Sequence, residues 1–231
     1  MLISIIVPAL NEEDQIGRTL AALRELPGEK EIVVVDGGST DGTVERARLQ
    51  NVRVMEAQKG RGQQMHAGAL ASRGDVLWFV HADTVAPPDA LQEIERVLRV
   101  EAAAGGNFGL RFGGDSRAAR QLTAIYPFLR FLGLCYGDSG IFVRREIYNR
   151  IGGFRPLALF EDLDLLRRLR REGRFVHLSC RMVTSSRRFE QRNFAAMWFH
   201  WTALQILYWC GVSPNWLARW YQDKRRDEMV G

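Results

Sequence analysis

The sequence predicts an α/β fold, a mostly parallel sheet flanked by helices, with an aromatic-rich helical appendage at the C-terminus. Three observations carry that expectation. Runs rich in β-branched residues alternate with stretches of helical periodicity, as in strand–helix–strand units. The turns between them are short. Some of the apolar runs are continuous rather than alternating, which is how strands covered on both faces read.

Taken in order, Leu2-Ile3-Ser4-Ile5-Ile6-Val7 is the first strand, expected to stop at Pro8 because proline cannot donate to a ladder. Asn11 is expected to cap a helix carrying Ile16, Leu20 and Leu23 at helical spacing, with Glu12, Glu13 and Asp14 suited to its positive end. Pro27-Gly28 ends that helix. Val33-Val34-Val35 then runs as a buried strand into Asp36, and Gly37-Gly38 permits a sharp turn and close approach of a ligand. Ser39, Thr40 or Asp41 can cap the next helix, from about Asp41 to Leu49. A short strand at Val52–Met55, a helix opened by Gly60-Arg61-Gly62 and running to Ser72, and a buried strand from Asp75 to Val80 follow.

Beyond Asp83 the pattern changes. A helix is expected from about Pro88 to Ala103, then an alternating, glycine-rich strand from Gly105 to Phe112. The stretch from Ser116 to Leu134 reads as helix or irregular structure containing Tyr126, Phe128 and Phe131. Tyr136-Gly137-Asp138-Ser139-Gly140 is a loop leading into a strand, and Glu161-Asp162-Leu163-Asp164 opens a helix. A boundary near residue 181 separates a main α/β domain (1–181, itself divided at 83) from a helical tail (182–231).

The 231 residues carry a net charge of +5, unevenly spread. Up to residue 164 there are 19 basic against 22 acidic residues; beyond it there are 13 against 5. Any anionic partner is therefore expected at the C-terminal part. Nothing points to nucleic acid. Cys135, Cys180 and Cys210 show no paired spacing, which fits free thiols in a reducing compartment rather than a disulfide frame or a zinc site. The opening apolar run lacks a basic start and ends in Asn11-Glu12-Glu13-Asp14, so it is not read as a signal peptide and a cytoplasmic location is expected.

Three strands end in polar clusters: Pro8-Ala9-Leu10-Asn11-Glu12-Glu13, Asp36-Gly37-Gly38 and His81-Ala82-Asp83. Parallel strands point the same way, so all three are expected on the carboxyl rim, where open α/β sheets bind ligands. The phosphate-loop pattern of P-loop NTPases and the Gly-x-Gly-x-x-Gly of dinucleotide dehydrogenases are both missing after the first strand.

These clusters, with Ser39-Thr40-Asp41-Gly42-Thr43 and the pair Glu161-Asp162, resemble glycosyltransferase family 2 over roughly residues 1–180. The resemblance implies a GT-A type fold (a mostly parallel, Rossmann-like sheet) and an inverting transfer from a UDP- or GDP-sugar to an acceptor hydroxyl. It implies donor contacts from Pro8, Ala9, Asn11, Glu12 and Asp36. The family's aspartate-x-aspartate motif, which holds Mn²⁺ or Mg²⁺ on the donor diphosphate, reads His81-Ala82-Asp83 here, leaving Asp83 as the metal ligand and donor contact. One carboxylate plus phosphate oxygens and water is a workable set for a hard cation. His81 is either a hydrogen-bond donor there or a space-filler. Arg61, just before a helix on the same rim, is either a phosphate contact or a solvated surface arginine.

By the same resemblance Asp162 is the general base that takes the acceptor's proton, and Glu161 and Asp138 lie on the acceptor side. The plainer readings are acids at a helix start for Glu161 and Asp162 and a turn aspartate for Asp138. A carboxylate beside another in a partly apolar site has its pKa raised, which suits a base.

The tail holds Trp198, Trp201, Trp209, Trp216 and Trp220, and no charged residue occurs from Phe194 to Val212. That length only just suffices to cross a bilayer. His200, Thr202 and Gln205 interrupt it, and arginines and lysines flank it, which suits a helix lying in a membrane interface; a helix packed on the catalytic domain or on a second subunit is the other reading. The Gln-x-x-Arg-Trp motif of processive members is missing, which implies a single addition. The acceptor is a lipid or isoprenoid if the tail meets a membrane, or a soluble small molecule if it packs. Two other functions fit less well. A sugar-nucleotide-forming nucleotidyltransferase needs a glycine-rich basic stretch after the first strand, where this chain is acidic. A non-catalytic nucleotide-sugar-binding protein is suggested only by His81 in the metal motif.

Overall fold

The computed structural model describes residues 1–100, 102–114, 116–131, 137–185 and 194–219. Cys135, Tyr136, Trp220 and the basic residues at 187, 188, 192 and 224–226 lie outside these. The strands are β1 (Ile3–Ala9), β2 (Lys30–Asp36), β3 (Arg53–Glu56), β4 (Val76–Phe79), β5 (Thr84–Val85), β6 (Gly105–Phe112), β7 (Phe142–Arg144) and β8 (Phe175–Thr184). The helices are α1 (Glu13–Glu25), α2 (Thr43–Arg48), α3 (Arg61–Ala71), α4 (Ala90–Val100), α5 (Arg117–Phe131), α6 (Arg145–Arg150), α7 (Glu161–Glu172) and α8 (Phe194–Trp209).

The strands form one sheet in the order β3-β2-β1-β4-β7-β6-β8-β5. β1 to β4 are mutually parallel; β7 runs antiparallel to β4 and β6, and β5 antiparallel to β8. Alternation along the parallel strands splits the core in two. Ile3, Ile5, Val7, Ile32, Val34, Val76 and Trp78 face α1, α4 and α5. Ile6, Val33, Val35, Leu77 and Phe79 face α3, α6 and α7. Both faces are covered, so the strands must read as unbroken apolar runs. On the second face α3 lies close: a Cβ on Gly68 would stand 2.6 Å from Ile6 Cγ2 and 2.8 Å from Val35 Cγ2.

Three local expectations are corrected. β1 continues through Pro8, paired with Val35, to Ala9. Ile3 donates towards β2, so even-numbered residues of β1 turn their N–H towards β4. The last bond to β4 runs from the Val80 N–H to the Ile6 carbonyl, and that pairing ends where Pro8 has no N–H to give, while the β2 pairing, which uses the odd-numbered N–H groups, continues. Asn11 does not cap α1; it is held at φ 54° and its side chain accepts from Thr40 instead. Helix α4 is shorter than expected at both ends, starting at Ala90 after two prolines and ending at Val100. In addition, β8 runs to Thr184, past the boundary expected near 181, because its last residues pair with β6 and β5.

The tail packs on the start of α7. Leu204 and Leu217 are fully buried against Phe160 and Leu163, and the Phe160 and Tyr208 rings lie 5.0 Å apart. Ile206, Trp209 and Trp216 are more than half exposed. Among the described residues, no helix is long and apolar enough to cross a membrane.

Candidate active site

The carboxyl ends of β1, β2 and β4 lie on one rim, and two clusters of side chains form there. The first knits the ends of β1 and β2. Asp36 is buried, and its carboxylate accepts from the N–H groups of Gly38 (2.8 Å) and Ser39 (2.9 Å) and from the Ser39 hydroxyl (2.5 Å). The Asn11 N–H donates to Ser39 Oγ at 2.9 Å, and Asn11 Oδ1 accepts from the Thr40 N–H at 2.9 Å. Glu12 donates its N–H to Thr43 Oγ1 at 2.8 Å. The first turns of α1 and α2 cap each other: Glu13 Oε2 accepts from the Gly42 N–H, while Asp41 accepts from the Thr43 N–H and, at 3.3 Å, from that of Glu13. Orphan N–H groups at both helix starts are thereby satisfied across two loops, which holds the loops in one shape.

Gln64 fastens α3 to the same strand ends. Its buried Nε2 donates to the carbonyls of Ala9 and Val35, each at 2.8 Å. The Ala9 carbonyl also accepts from the Gly37 N–H at 2.9 Å, so the Gln64 side chain adds a bond where the ladder between β1 and β2 ends. Reading the sequence did not single out Gln64; its position one turn after the Gly60-Arg61-Gly62 helix start was the available signal.

The second cluster gathers Arg61, His81, Asp138, Glu161 and Asp162. Phe160, in the left-handed region at φ 61°, turns the chain into α7 so that Glu161 and Asp162 enter the molecule. Both acids are buried, each 3% exposed. Glu161 accepts a short hydrogen bond from Arg61 Nε, and Arg61 Nη2 lies 4.0 Å from Asp162 Oδ2. Asp162 accepts from the Gly137 N–H at 2.7 Å and from the Leu163 N–H at 2.8 Å. Burial, reinforced by the charge of Glu161, pushes the Asp162 carboxyl up to about 6, against the opposing pull of Arg61 and the two N–H groups. Packing around the inner side of the Arg61 guanidinium disfavours its charge, but Glu161, Asp162 and Asp138 outweigh that and raise its pKa, while the side chain as a whole stays 40% exposed. Asp164, the third acid of that turn, is engaged elsewhere, with Arg168 at 2.7 Å and Arg155 at 3.3 Å.

His81 and Asp138 meet: His81 Nδ1 lies 2.6 Å from Asp138 Oδ1. Among the described residues, His81 Nε2 is buried with no hydrogen-bond partner. The turn Gly137–Ser139 therefore touches the base candidate through its first residue and the β4 end through its second. Asp83 stands two residues further along, partly exposed, with the Thr84 hydroxyl at 3.4 Å. Among the described residues, no three His, Cys, Asp or Glu side chains are placed to hold a metal by themselves.

The structure thus brings five of the singled-out residues into one network and places Ala9, Asn11, Glu12 and Asp36 in the neighbouring one, with Pro8 in the strand just before Ala9; among the described residues Asp83, whose contact is with Thr84, joins neither. Helix α3 joins the two networks, through Gln64 on one side and Arg61 on the other. A model of the family described as glycosyl transferase family 2 matches residues 4–156, two thirds of the chain. The chain belongs to that family.

Its relatives within family 2 include glucosyl-3-phosphoglycerate synthase of Mycolicibacterium smegmatis, 32% identical over 202 residues, covering 65% of this chain and 65% of that one. They also include beta-monoglucosyldiacylglycerol synthase of Synechocystis, 28% identical over 193 residues, covering 72% of this chain and 40% of that protein. The chain spans less than two thirds of the length of these curated relatives. Among solved structures, glucosyl-3-phosphoglycerate synthase from Mycobacterium tuberculosis, in complex with Mn²⁺, UDP and glucosyl-3-phosphoglycerate, superposes with a TM-score of 0.64 at 22% identity, over 91% of this chain and 80% of that one. The mixed sheet with flanking helices is the GT-A fold expected from the sequence.

Proposed function

We propose that the chain is an inverting glycosyltransferase that moves a sugar from a UDP- or GDP-sugar to an acceptor hydroxyl, one addition at a time. The observation that carries this reading is Asp162. It is a buried carboxyl with a pKa near 6, at the start of a helix facing the rim that holds the nucleotide-type loops. At neutral pH it is mostly ionised yet basic enough to accept a proton, the condition for an effective general base.

In this reading Pro8, Ala9, Asn11, Glu12 and Asp36 line the base and ribose end of the donor, with the loops around them held in one shape by the reciprocal caps. Arg61 meets the diphosphate. Asp162 takes the proton of the acceptor hydroxyl as its oxygen attacks the anomeric carbon; the bond from that carbon to the diphosphate breaks, and the nucleoside diphosphate leaves. Gly137 and Leu163 orient the carboxylate, and Asp138 sits where it can meet the acceptor while holding His81.

The side chains present fit a divalent cation. Among the described residues, Asp83 offers a carboxylate with one weak contact, and His81, two residues before it, offers a buried Nε2 without a partner. Asp83, with His81 beside it, would hold Mn²⁺ or Mg²⁺ together with donor oxygens, and the ion would stabilise charge on the departing diphosphate. The need for donor oxygens accords with the lack of a three-residue protein site among the described residues.

A lipid-borne acceptor at a membrane surface is supported by the tail. One side of it packs on Phe160 and Leu163, while Ile206, Trp209 and Trp216 remain exposed in the basic part of the chain. The family relative named for a diacylglycerol product favours the same class. Transfer from radiolabelled UDP- and GDP-sugars with Mn²⁺, with and without a lipid extract, tests the whole reading. Binding of nucleotide without transfer or hydrolysis across donors and acceptors would refute it. Flotation with anionic liposomes tests the tail; a dimer in solution without flotation would assign the exposed face to a second copy.

A further inference from the structure

Glu161 has no outlet to substrate. Its side chain is 4% exposed, and its carboxylate is engaged by Arg61 Nε. Arg61 itself is 40% exposed. Among the described residues, its two Nη groups have no hydrogen-bond acceptor; the Asp162 carboxylate stands 4.0 Å from Nη2. A guanidinium has five N–H donors in a fixed fork. Here one is committed inward and the outer edge is open, at the start of α3 on the donor rim.

The backbone is shaped for this contact. A Cβ on Gly62 would meet the Glu161 side chain and the Arg155 carbonyl at 3.2 Å, so α3 and the start of α7 approach as closely as a glycine allows. Gln64, one turn later, pins α3 to the ends of β1 and β2. The helix that carries Arg61 is thus fixed against both the donor strands and the base helix.

We propose that Glu161 is a positioning residue that acts through Arg61, anchoring Nε so that the Nη edge is presented to the donor diphosphate beside Asp162. The proposal rests on the glycosyltransferase reading above. Oxygens of a diphosphate match the two Nη groups in a bidentate pair, a geometry that lysine cannot reproduce. Holding the fork in place beforehand removes the rotamer entropy that a free surface arginine loses on binding. The same arrangement ties donor and base together, since the Arg61 charge opposes the rise in the Asp162 pKa. Glu161, expected from the sequence on the acceptor side, is in this scheme a donor-side residue at one remove.

Titration calorimetry on the full chain with UDP and GDP, and with uridine and guanosine as phosphate-free controls, separates the possibilities without an acceptor. Glu161→Ala should weaken diphosphate binding about tenfold, the scale of one charge-assisted contact, and leave the nucleosides unchanged. Glu161→Gln, whose amide oxygen still accepts from Nε, should recover most of the loss. In an Arg61→Gln background Glu161→Ala should add nothing. Arg61→Lys, which keeps the charge and loses the fork, should also lose the preference for diphosphate, and it serves where Glu161→Ala does not fold. Unchanged diphosphate binding in Glu161→Ala, or in Arg61→Lys, overturns the proposal, as does an equal loss for diphosphate and nucleoside. A wild-type chain that binds neither diphosphate overturns the donor reading itself, and the proposal with it.

Discussion

The backbone N–H of Gly137 donates to Asp162 Oδ2 at 2.7 Å, across 25 residues of chain. The base candidate is therefore oriented by a turn that belongs to a different element, and the next residue of that turn holds His81. Any change in the turn reaches both the carboxylate and the end of β4.

Asp162→Asn keeps the shape and removes the proton acceptor. Transfer is expected to fall by about 10²–10⁴-fold, the usual worth of a positioned general base. Nucleotide binding should stay near normal. Initial rates with saturating donor check this, and a rate within a fewfold of wild type would remove Asp162 from the role.

The pH dependence has a definite sign. Asp162 must be ionised to act, and its pKa in the folded chain is about 6, so kcat/KM should decline as pH falls through about 6. Stability runs the other way. A carboxyl whose folded pKa lies above the model value of 3.8 holds its proton more tightly in the folded chain. Its relative stabilisation is present below about pH 4 and lost as pH rises through 6. Melting temperatures of wild type and Asp162→Asn, compared from pH 4 to 7, should therefore diverge in favour of the variant as pH rises; parallel curves would contradict the raised pKa.

Asp83→Ala should abolish the gain in UDP or GDP affinity that Mn²⁺ brings, with little effect on uridine or guanosine. Calorimetry with and without MnCl₂ measures it directly. A metal effect that survives the substitution places the ion elsewhere.

Gly137→Ala probes the turn. The new Cβ would stand 2.9 Å from His81 Nε2 and 3.6 Å from Asp162 Oδ2, so the turn must shift. Loss of transfer with a melting temperature close to wild type is expected, because the strain falls on the rim rather than on the core. An unaffected rate would show that the Gly137 contact is dispensable.

Gly68→Ala tests the packing of α3. Its methyl group would press on Ile6 and Val35 inside the sheet, an overpacking that costs about 1–3 kcal/mol. Chemical denaturation gives the value. A neutral or stabilising result would mean that α3 can lift from the sheet, and with it Arg61 and Gln64.

Much of the fold was legible in the residues. Val33–Val35 and Val76–Phe79 announced buried strands because each is covered on both faces, and the acids at 161, 162 and 164 announced a helix start because an N-terminus favours them. Pro8 was half legible: it stops the pairing with β4 but not that with β2, because a missing N–H matters only on the side it would have faced. Asn11 misled: its acceptor was claimed by Thr40, 29 residues away. The antiparallel β7 and the pairing of β5 with β8 depend on contacts between remote segments and left no local trace.

What the sequence by itself determined is the order of the strands and helices up to Val80, the rim on which the polar clusters fall, and the family, because periodicity and strand-end chemistry are local properties. Only the tertiary structure decided which polar groups meet. It gave Arg61 to Glu161, His81 to Asp138, and the Gly137 N–H to Asp162, and it buried Leu204 and Leu217 of the tail on α7. Each of these pairings joins segments far apart in the chain, and the partner of a buried charge is set by which segments the sheet brings together.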